Sequence, residues 1–452
     1  MRVLLKQRLI GSNRYGIGVM TKKQSQSLLE FDQIIVGAGA VGSALALQLS
    51  DLGYRVAVID SQPSSYHSSD PERVIALSYG SKCYLDALGV WQGVEDAGAG
   101  LIRHIHVTEP GNTGYVTMDV SDAANMAQDM DALGYVVEMG HVLKPLHERM
   151  EGRVTLFCPA SITKLDFGDV EKKAEVQISP EGKSVILHAS LLIGADGTNS
   201  QIRRMAGIGT KGWDYNRFGL VFSASCEHGH NDVAYECFRE SGPLAFLPMA
   251  DDRFSVVWAL APSEAMRLAT MPAPIFMKKL EKSAGRDVTD RIGSITGIGR
   301  RFCFPLELTI AERYAKPRLA LIGNAAHTIH PVAGQGMNLG LRDAAVLAEV
   351  LSTELAHRDP GASILMQAYA EKRRLDVMAV SGFTESLTTL FGIDLPGAKQ
   401  VRSRAMDAMQ NMLSVRTLLL RQAAGIGQIA SMKMPGELSG KASENRVERG
   451  AV

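Results

Sequence analysis

The sequence predicts an α/β protein: a Rossmann-like nucleotide-binding domain, an inserted domain built on a mixed β-sheet, and a helical C-terminal region. Three observations predict it. A strand, a glycine-rich turn, a helix and a second strand follow one another over residues 31–60; short strands crowd the stretch between Arg217 and Trp258; and the chain reads as helix from Val346 onward. At 452 residues the chain is too long for one simple core, and two packed domains are the natural expectation. An apolar fraction of 46% and a charged fraction of 21% belong to an ordinary globular protein. Lys+Arg and Asp+Glu both number 48, so no global field favours nucleic acid as a partner. The five cysteines are scattered without CxxC spacing, which suits neither a disulfide framework nor a zinc site and points to a reducing cytoplasm.

In chain order, residues 1–30 read as an N-terminal extension without an apolar core of signal-peptide length; residues 1–19 are expected either to be disordered or to reflect a start assigned upstream of Met20. The stretch 31–205 reads as the first part of the nucleotide-binding domain. It opens with FDQIIVGAGAVGSALALQLSDLGYRVAVID, in which Gly37, Ala38, Gly39, Ala40, Val41 and Gly42 make the turn between a buried strand and a helix that Gly53 stops. The glycines let the backbone turn sharply and approach a pyrophosphate, whose charge sits at the helix N-terminus. Asp60 closes the second strand, where a carboxylate accepts a hydrogen bond from a ribose hydroxyl. This unit serves FAD and NAD alike. In SLLIGADGTNSQIRR, residues 190–204, a strand ends in a tight turn at Asp196-Gly197 before a helix. Asp196 is positioned to accept from a ribose or ribitol hydroxyl, and Arg203 offers a donor fork for a phosphate or for the turn itself.

Residues 206–310 read as the β-sheet substrate domain, with VAYECF, GPLAFLP and RFSVVWAL as strands of its floor. Residues 311–380 return to the nucleotide-binding domain through LALIGNAAHTIHPVAGQGMNLG. There Gly323-Asn324 ends a strand, and a helix starts near Gln335, Gly336, Met337 and Asn338. Unpaired N–H groups in the first turn of that helix suit the negative charge that a reduced flavin carries at its N1–C2 carbonyl edge. Gly334 and Gly336 leave room for a flat ring against the backbone. Residues 381–452 form the helical C-terminal region. Between Ala408 and Gly436 it holds no acidic side chain, while Arg416, Arg421 and Lys433 are interspersed with leucines, isoleucines and methionines. Two readings stay open for it: an interfacial membrane or subunit contact, or helices packed on the flavin domain. Location is expected to be cytoplasmic, with a peripheral position on the inner membrane face admitted by the first reading.

GAGAVG, RVIALS with Arg73, GADGTNSQIR and GNAAHTIHPVAGQGMNLG, in this order, resemble the fingerprints of the class A flavoprotein monooxygenases, and GYVVE, AYECF and GPLAFLPM resemble the ubiquinone-biosynthesis branch of that family. The resemblance implies the class A flavin monooxygenase fold, FAD as cofactor, and NAD(P)H as a transient reductant without a nicotinamide domain of its own. It implies ring hydroxylation of a polyprenylated methoxyphenol by a C4a-hydroperoxide formed from reduced FAD and O2. Other ubiquinone-synthesis proteins would then be partners. The alternatives are a hydroxylase of another, soluble phenol, for which Arg217 or Arg239 could meet a substrate carboxylate, and a low-turnover flavoprotein member of a ubiquinone-synthesis complex. Two departures stand out: Asn324 replaces the family's usual Asp, and Asp60 its commoner Glu.

For the substrate side, Phe222, Phe238, Phe246, Pro248, Met249 and Trp258 are candidates to line a pocket, and the resemblance puts Pro248-Met249 beside the flavin, opposite Pro331. His330 and Pro331 are the catalytic candidates, and His327 is expected to fix its loop. His228 and His230, in CEHGHND, lack convergent ligands and read as a solvated hairpin turn rather than a metal site.

Overall fold

The computed structural model describes residues 29–63, 73–123, 130–169, 171–180, 182–331, 334–393 and 397–425. The expectations for residues 1–19, and for Ile426, Ile429 and Lys433, lie outside them. The strand Leu29–Val36 alternates at its start, where Glu30 is exposed beside buried Phe31, and ends in the apolar run Ile34–Val36, covered on both faces as a central strand of a parallel sheet must be. It pairs in parallel with Val185–Gly194 on one side and Val56–Ile59 on the other; Leu319–Leu321 and Thr155–Phe157 extend the parallel set outward. A hairpin, Ala160–Asp166 and Ala174–Pro180, adds antiparallel strands to Val185–Gly194. The crossover helix Ala40–Asp51 packs against Met139–Met150 and the deep helix Gln335–Leu351.

The second sheet runs in the order His327–Thr328, Phe302–Ala311, Thr210–Cys226, Phe254–Leu260, Leu244–Pro248, Val233–Cys237, His104–Thr108, Tyr115–Asp119. Its pairings are antiparallel except that Val233–Cys237 runs parallel to His104–Thr108, so the sheet is mixed as expected. The domain boundaries need correction here. His104–Thr108 and Tyr115–Asp119 fall within 31–205 yet belong to this second sheet, and the first strand begins at Leu29, inside the expected extension. One helix, Ser363–Gly392, also runs through the expected boundary at 380.

The two faces of the second sheet differ. Phe222, Tyr235, Phe246, Phe254 and Trp258 form a closed core with Leu268, Phe276 and Leu280 from the helices Pro262–Ala269 and Ala273–Ala284. The other face looks into a cavity. The helices Ala398–Asn411 and Leu413–Ala423 close over that side: Met406 and Leu420 are buried with Val116, Met118, Phe238 and Phe391. Thus the described part of the C-terminal region packs onto the substrate sheet, and Ala424 at its end accepts a hydrogen bond from the Gly80 N–H.

Candidate active site

A single cavity of about 980 Å3 runs from the glycine fingerprint to the C-terminal helices. At one end it is walled by main chain. Gly37 has φ +115°, and a Cβ there would lie 2.3 Å from the carbonyl oxygen of Ala195; on Gly42 it would lie 2.1 Å from that of Gly37. These glycines let turn and helix close on each other. A Cβ on Gly39 or Gly336 would meet nothing within 4 Å; both residues face open cavity. The helices that start beside them, Ala40–Asp51 and Gln335–Leu351, have no side-chain cap at their N-termini. Partial positive charge at such a helix start suits a phosphate or an anionic ring edge. Gly39 through Gly42, Arg73, Gly197, Gly323, Asn324 and Gly334 through Asn338 all contribute to the lining. This arrangement fits an FAD molecule: open backbone at two helix starts, an arginine, and room for a flat ring.

Several expected cofactor residues do another job first. Asp60 accepts from the backbone N–H of Ala38 at 2.7 Å and of Gln62 at 2.8 Å, so it pins the fingerprint turn. Asp196 accepts from the Ser200 hydroxyl at 2.5 Å and the Ile202 N–H at 3.0 Å, capping the short helix after its own turn. A carboxylate offers about four lone-pair sites, so neither residue is used up by this. Arg203 spends its fork on the carbonyls of Ala325 and Thr198, both at 2.8 Å; of its two expected roles, fixing the turn is the one the geometry supports. Asn338 is committed on every side. Its oxygen accepts from Ser78 N–H and the Ser81 hydroxyl, and its amide donates to the carbonyls of Ala76 and Gly334.

Beneath the Gly323 turn lies a charged cluster that sequence reasoning missed. Asp343 accepts from the Gly323 N–H and from His327 Nε2, each at 2.7 Å, and from Arg373 Nε at 2.6 Å. Arg373 continues to Asp376 at 2.6 Å, and all three of Asp343, His327 and Arg373 are essentially inaccessible to solvent. Burial by itself pushes the Asp343 carboxyl up, but His327 and Arg373 outweigh it and hold the group below its ordinary value. His327 is therefore a structural part of the loop.

His330 and Pro331 line the cavity. The His330 ring meets Tyr215 edge-on at 4.9 Å, and the Tyr215 hydroxyl donates to Glu385 on the long helix. Burial lowers the imidazole to about 4, so at neutral pH it is an uncharged ring.

On the substrate side the placements differ from expectation. Phe238 lines the cavity. Phe222, Phe246 and Trp258 point the other way, into the core under the sheet, because alternate residues of a strand face opposite sides. Pro248 and Met249 also lie outside the lining, where Leu247 stands instead; Met249 is buried with Ile102, Val136 and Ala234. The residues that do face the cavity include Ile105, Val107, Ala234, Glu236, Ala245, Leu247, Val257 and Ala259. Neither Arg217 nor Arg239 is among the lining, and Arg239 lies over the Trp258 ring at 5.7 Å. His230 is part of a turn: its Nδ1 accepts from the Asp232 N–H at 3.0 Å, which leaves Nε2–H to donate to the Met249 carbonyl at 2.8 Å.

The sequence as a whole agrees with this geometry. Residues 30–384 match the family described as FAD binding domain. The chain belongs to that family. It is 34% identical over 409 residues to the ubiquinone hydroxylase UbiL of Rhodospirillum rubrum, covering 87% of this chain and 89% of the relative. To the 3-demethoxyubiquinol 3-hydroxylase of Escherichia coli it is 34% identical over 398 residues, with coverage of 87% and 98%. Among solved structures, p-nitrophenol 4-monooxygenase PnpA from Pseudomonas putida superposes with a TM-score of 0.71 at 20% identity, over 88% of this chain and 99% of that one, a likeness of fold. The chain is thus an FAD-dependent monooxygenase of the class A hydroxylase family, in its ubiquinone branch.

Proposed function

We propose that this enzyme hydroxylates the aromatic ring of a polyprenylated methoxyphenol during ubiquinone synthesis, with NAD(P)H as the reductant. The observation that carries the reading is the far wall of the cavity. Phe383, Leu387, Leu390, Phe391, Met406, Met409 and Leu419 line it, an apolar surface continuous with the flavin end and suited to a hydrocarbon chain whose aromatic head reaches the ring. A soluble, carboxylate-bearing phenol is less well served, since among the described residues the lining holds no lysine and a single arginine, Arg73.

Bound FAD, once reduced, supplies the electrophilic oxygen derived from O2. The protein's part is binding, orientation and dryness. Arg73 and the first turns of two helices hold the cofactor's negative charge. Pro331 and the neutral His330 form the wall next to the Gly334 turn. The C-terminal helices close the far end of the cavity against water.

A lipid-soluble substrate must be collected from a bilayer. No helix among the described residues is long and apolar enough to cross one. Contact at the surface is the proposal instead, through exposed apolar side chains near the C-terminal helices, Leu390, Ile393, Val401 and Met412. Deleting the gene and identifying the quinone precursor that builds up tests the substrate. A prenylated methoxyphenol is expected, whereas unchanged ubiquinone would sink the reading.

A further inference from the structure

Strand Val233–Cys237 carries an acid where the fold gives it nothing to bind. Tyr235 and Cys237 pack into the core beneath the sheet, so Ala234, Glu236 and Phe238 fall on the cavity face. Around Glu236 that face is hydrocarbon. Its lateral neighbours are Val107 on the parallel strand and Ala245 on the antiparallel one, and Ile105, Leu247 and Phe238 complete the surroundings. Among the described residues Glu236 is the lone carboxyl of the lining, and its side chain makes no hydrogen bond or ion pair with any of them. Burial pushes its carboxyl up to about 7.

A carboxyl on an apolar wall costs stability unless something hydrogen-bonds it. The described residues supply no such partner; a molecule in the cavity would. Resting on the substrate reading above, we infer that Glu236 receives the phenolic hydroxyl of the substrate, accepting its hydrogen bond on binding and its proton as the ring is oxygenated. In that step the phenolic O–H bond breaks and the proton passes to a carboxylate oxygen. The electron pair stays on the phenolic oxygen and pushes into the ring as the ring carbon takes up the electrophilic oxygen, whose bond to the oxidant breaks with its pair leaving on the oxidant. The ring carbon then loses its C–H proton and the phenolic oxygen regains one. Glu236 then returns its proton to solvent or product. An apolar site serves this chemistry well, because a base of raised basicity shares a phenol's proton more readily than an ordinary carboxylate does.

The other titratable groups of the lining are Arg73, Tyr235, Cys303 and His330. Tyr235 packs its ring at a tilt against Phe254, Cys303 is pushed up by burial, and His330 is already neutral above about 4. Beside the glutamate in sequence stand Cys237 and Arg239; burial raises the thiol and lowers the guanidinium. Burial moves Tyr235 and both thiols up and His330 down, away from the range in which Glu236 titrates.

The test uses the FAD-loaded enzyme and follows binding by the flavin's absorbance. A short-chain prenylated 2-methoxyphenol is compared with the same molecule lacking the hydroxyl. Wild type is expected to prefer the phenol by about tenfold or more, the ratio that one hydrogen bond to a charged group is worth. Glu236→Gln should bind the two within about threefold of each other, keep its FAD, and hydroxylate about a hundredfold more slowly. In wild type the hydroxylation rate should fall as pH drops through about 7; in Glu236→Gln that limb should vanish, and Glu236→Asp should restore it in part. A wild type that binds both molecules alike overturns the assignment, as does a Glu236→Gln variant that keeps the preference or weakens both ligands together. If the prenylated pair fails to bind but a soluble phenol binds, the substrate reading falls instead, and Glu236 is judged by the same comparison on that phenol. Failure of every phenol to bind overturns both.

Discussion

The two ends of the cavity are built on opposite plans. At the flavin end the surface is main chain: glycines, helix starts and a turn, fixed from below by buried charge. At the substrate end it is side chain: small or branched residues on a sheet face, closed by helices that buried polar contacts fasten at their rims. A main-chain surface has little freedom to vary, since a Cβ at Gly37 or Gly42 would break the turn and one at Gly39 or Gly336 would stand in the cavity itself. A side-chain surface can be re-cut one residue at a time. The contrast explains how one fold keeps its cofactor while its relatives act on different molecules, and it can be tested one end at a time.

The largest effect is expected from the charge under the Gly323 turn. Asp343→Asn leaves Arg373 buried with one partner fewer and removes the charge that holds His327, which costs about 3–5 kcal/mol by analogy with other broken buried pairs. Chemical denaturation should show that loss, and the purified variant should retain little FAD because the Gly323 N–H has lost its anchor. Full FAD occupancy in this variant would break the argument that buried charge fixes the cradle.

Acid should act through His330 next. The unfolded imidazole takes its proton near 6.5, the folded one only near 4, so the unfolded state binds more protons between those values and stability falls as pH drops through that window. The loss levels off below about 4 at roughly 3 kcal/mol. His330→Asn, which cannot charge, should flatten the dependence of the denaturation midpoint on pH across it. An unchanged profile would mean that the ring is wetter than its burial indicates.

At the other end, Arg402 bonds both oxygens of Glu109, at 2.5 and 3.1 Å, with both side chains almost fully buried. It also donates to the carbonyl of Ile393 at 2.8 Å, so it ties the helix Ala398–Asn411 to the end of the long helix and to the sheet. Arg402→Met should let the C-terminal helices open, and opening hydrates Glu109, which limits the cost to about 1–3 kcal/mol of local stability. Proteolysis near residues 397–425 should accelerate while FAD content stays at the wild-type level. Loss of FAD here would show the two ends to be coupled.

What the sequence made legible follows the same division. The flavin end was readable because its geometry demands glycine, as at Gly37 and Gly42, and demand of that kind leaves a spaced motif. Asp343 and Arg373 were not readable as a pair: they lie thirty positions apart on two helices, and only packing brings them together. On the substrate sheet both faces are apolar, so alternation marks neither one as the pocket. Choosing the large aromatics selected the wrong face at Phe222, Phe246 and Trp258. A cavity exists where side chains are small, and the better signal was the row of lesser residues between them: Ala234, Ala245, Val257, Ala259. The interleaving of His104–Thr108 into the second sheet was hidden for a related reason. Its one parallel pairing joins strands more than a hundred residues apart and leaves no local pattern.

The smallest change in stability is expected at the surface where a bilayer would touch. Val401 is 68% exposed and Met412 51%, on the outer side of helices whose inner side chains, Met406 and Leu420, are buried. Leu390, itself 45% exposed, also lines the cavity, so an apolar surface and the end of an apolar channel meet at one residue. Replacing exposed side chains removes no buried contact, and Val401→Ser with Met412→Ser should shift stability by no more than about 0.5 kcal/mol. Transfer to a membrane interface does depend on them. In flotation with anionic vesicles the double variant should leave a larger soluble fraction than wild type, and turnover of a short-chain phenol in detergent-free buffer should be unaltered. Equal flotation of the two proteins would move the contact away from these helices, while a matching loss of turnover on the short-chain phenol would mean that the substitutions act on the cavity wall and not on the bilayer.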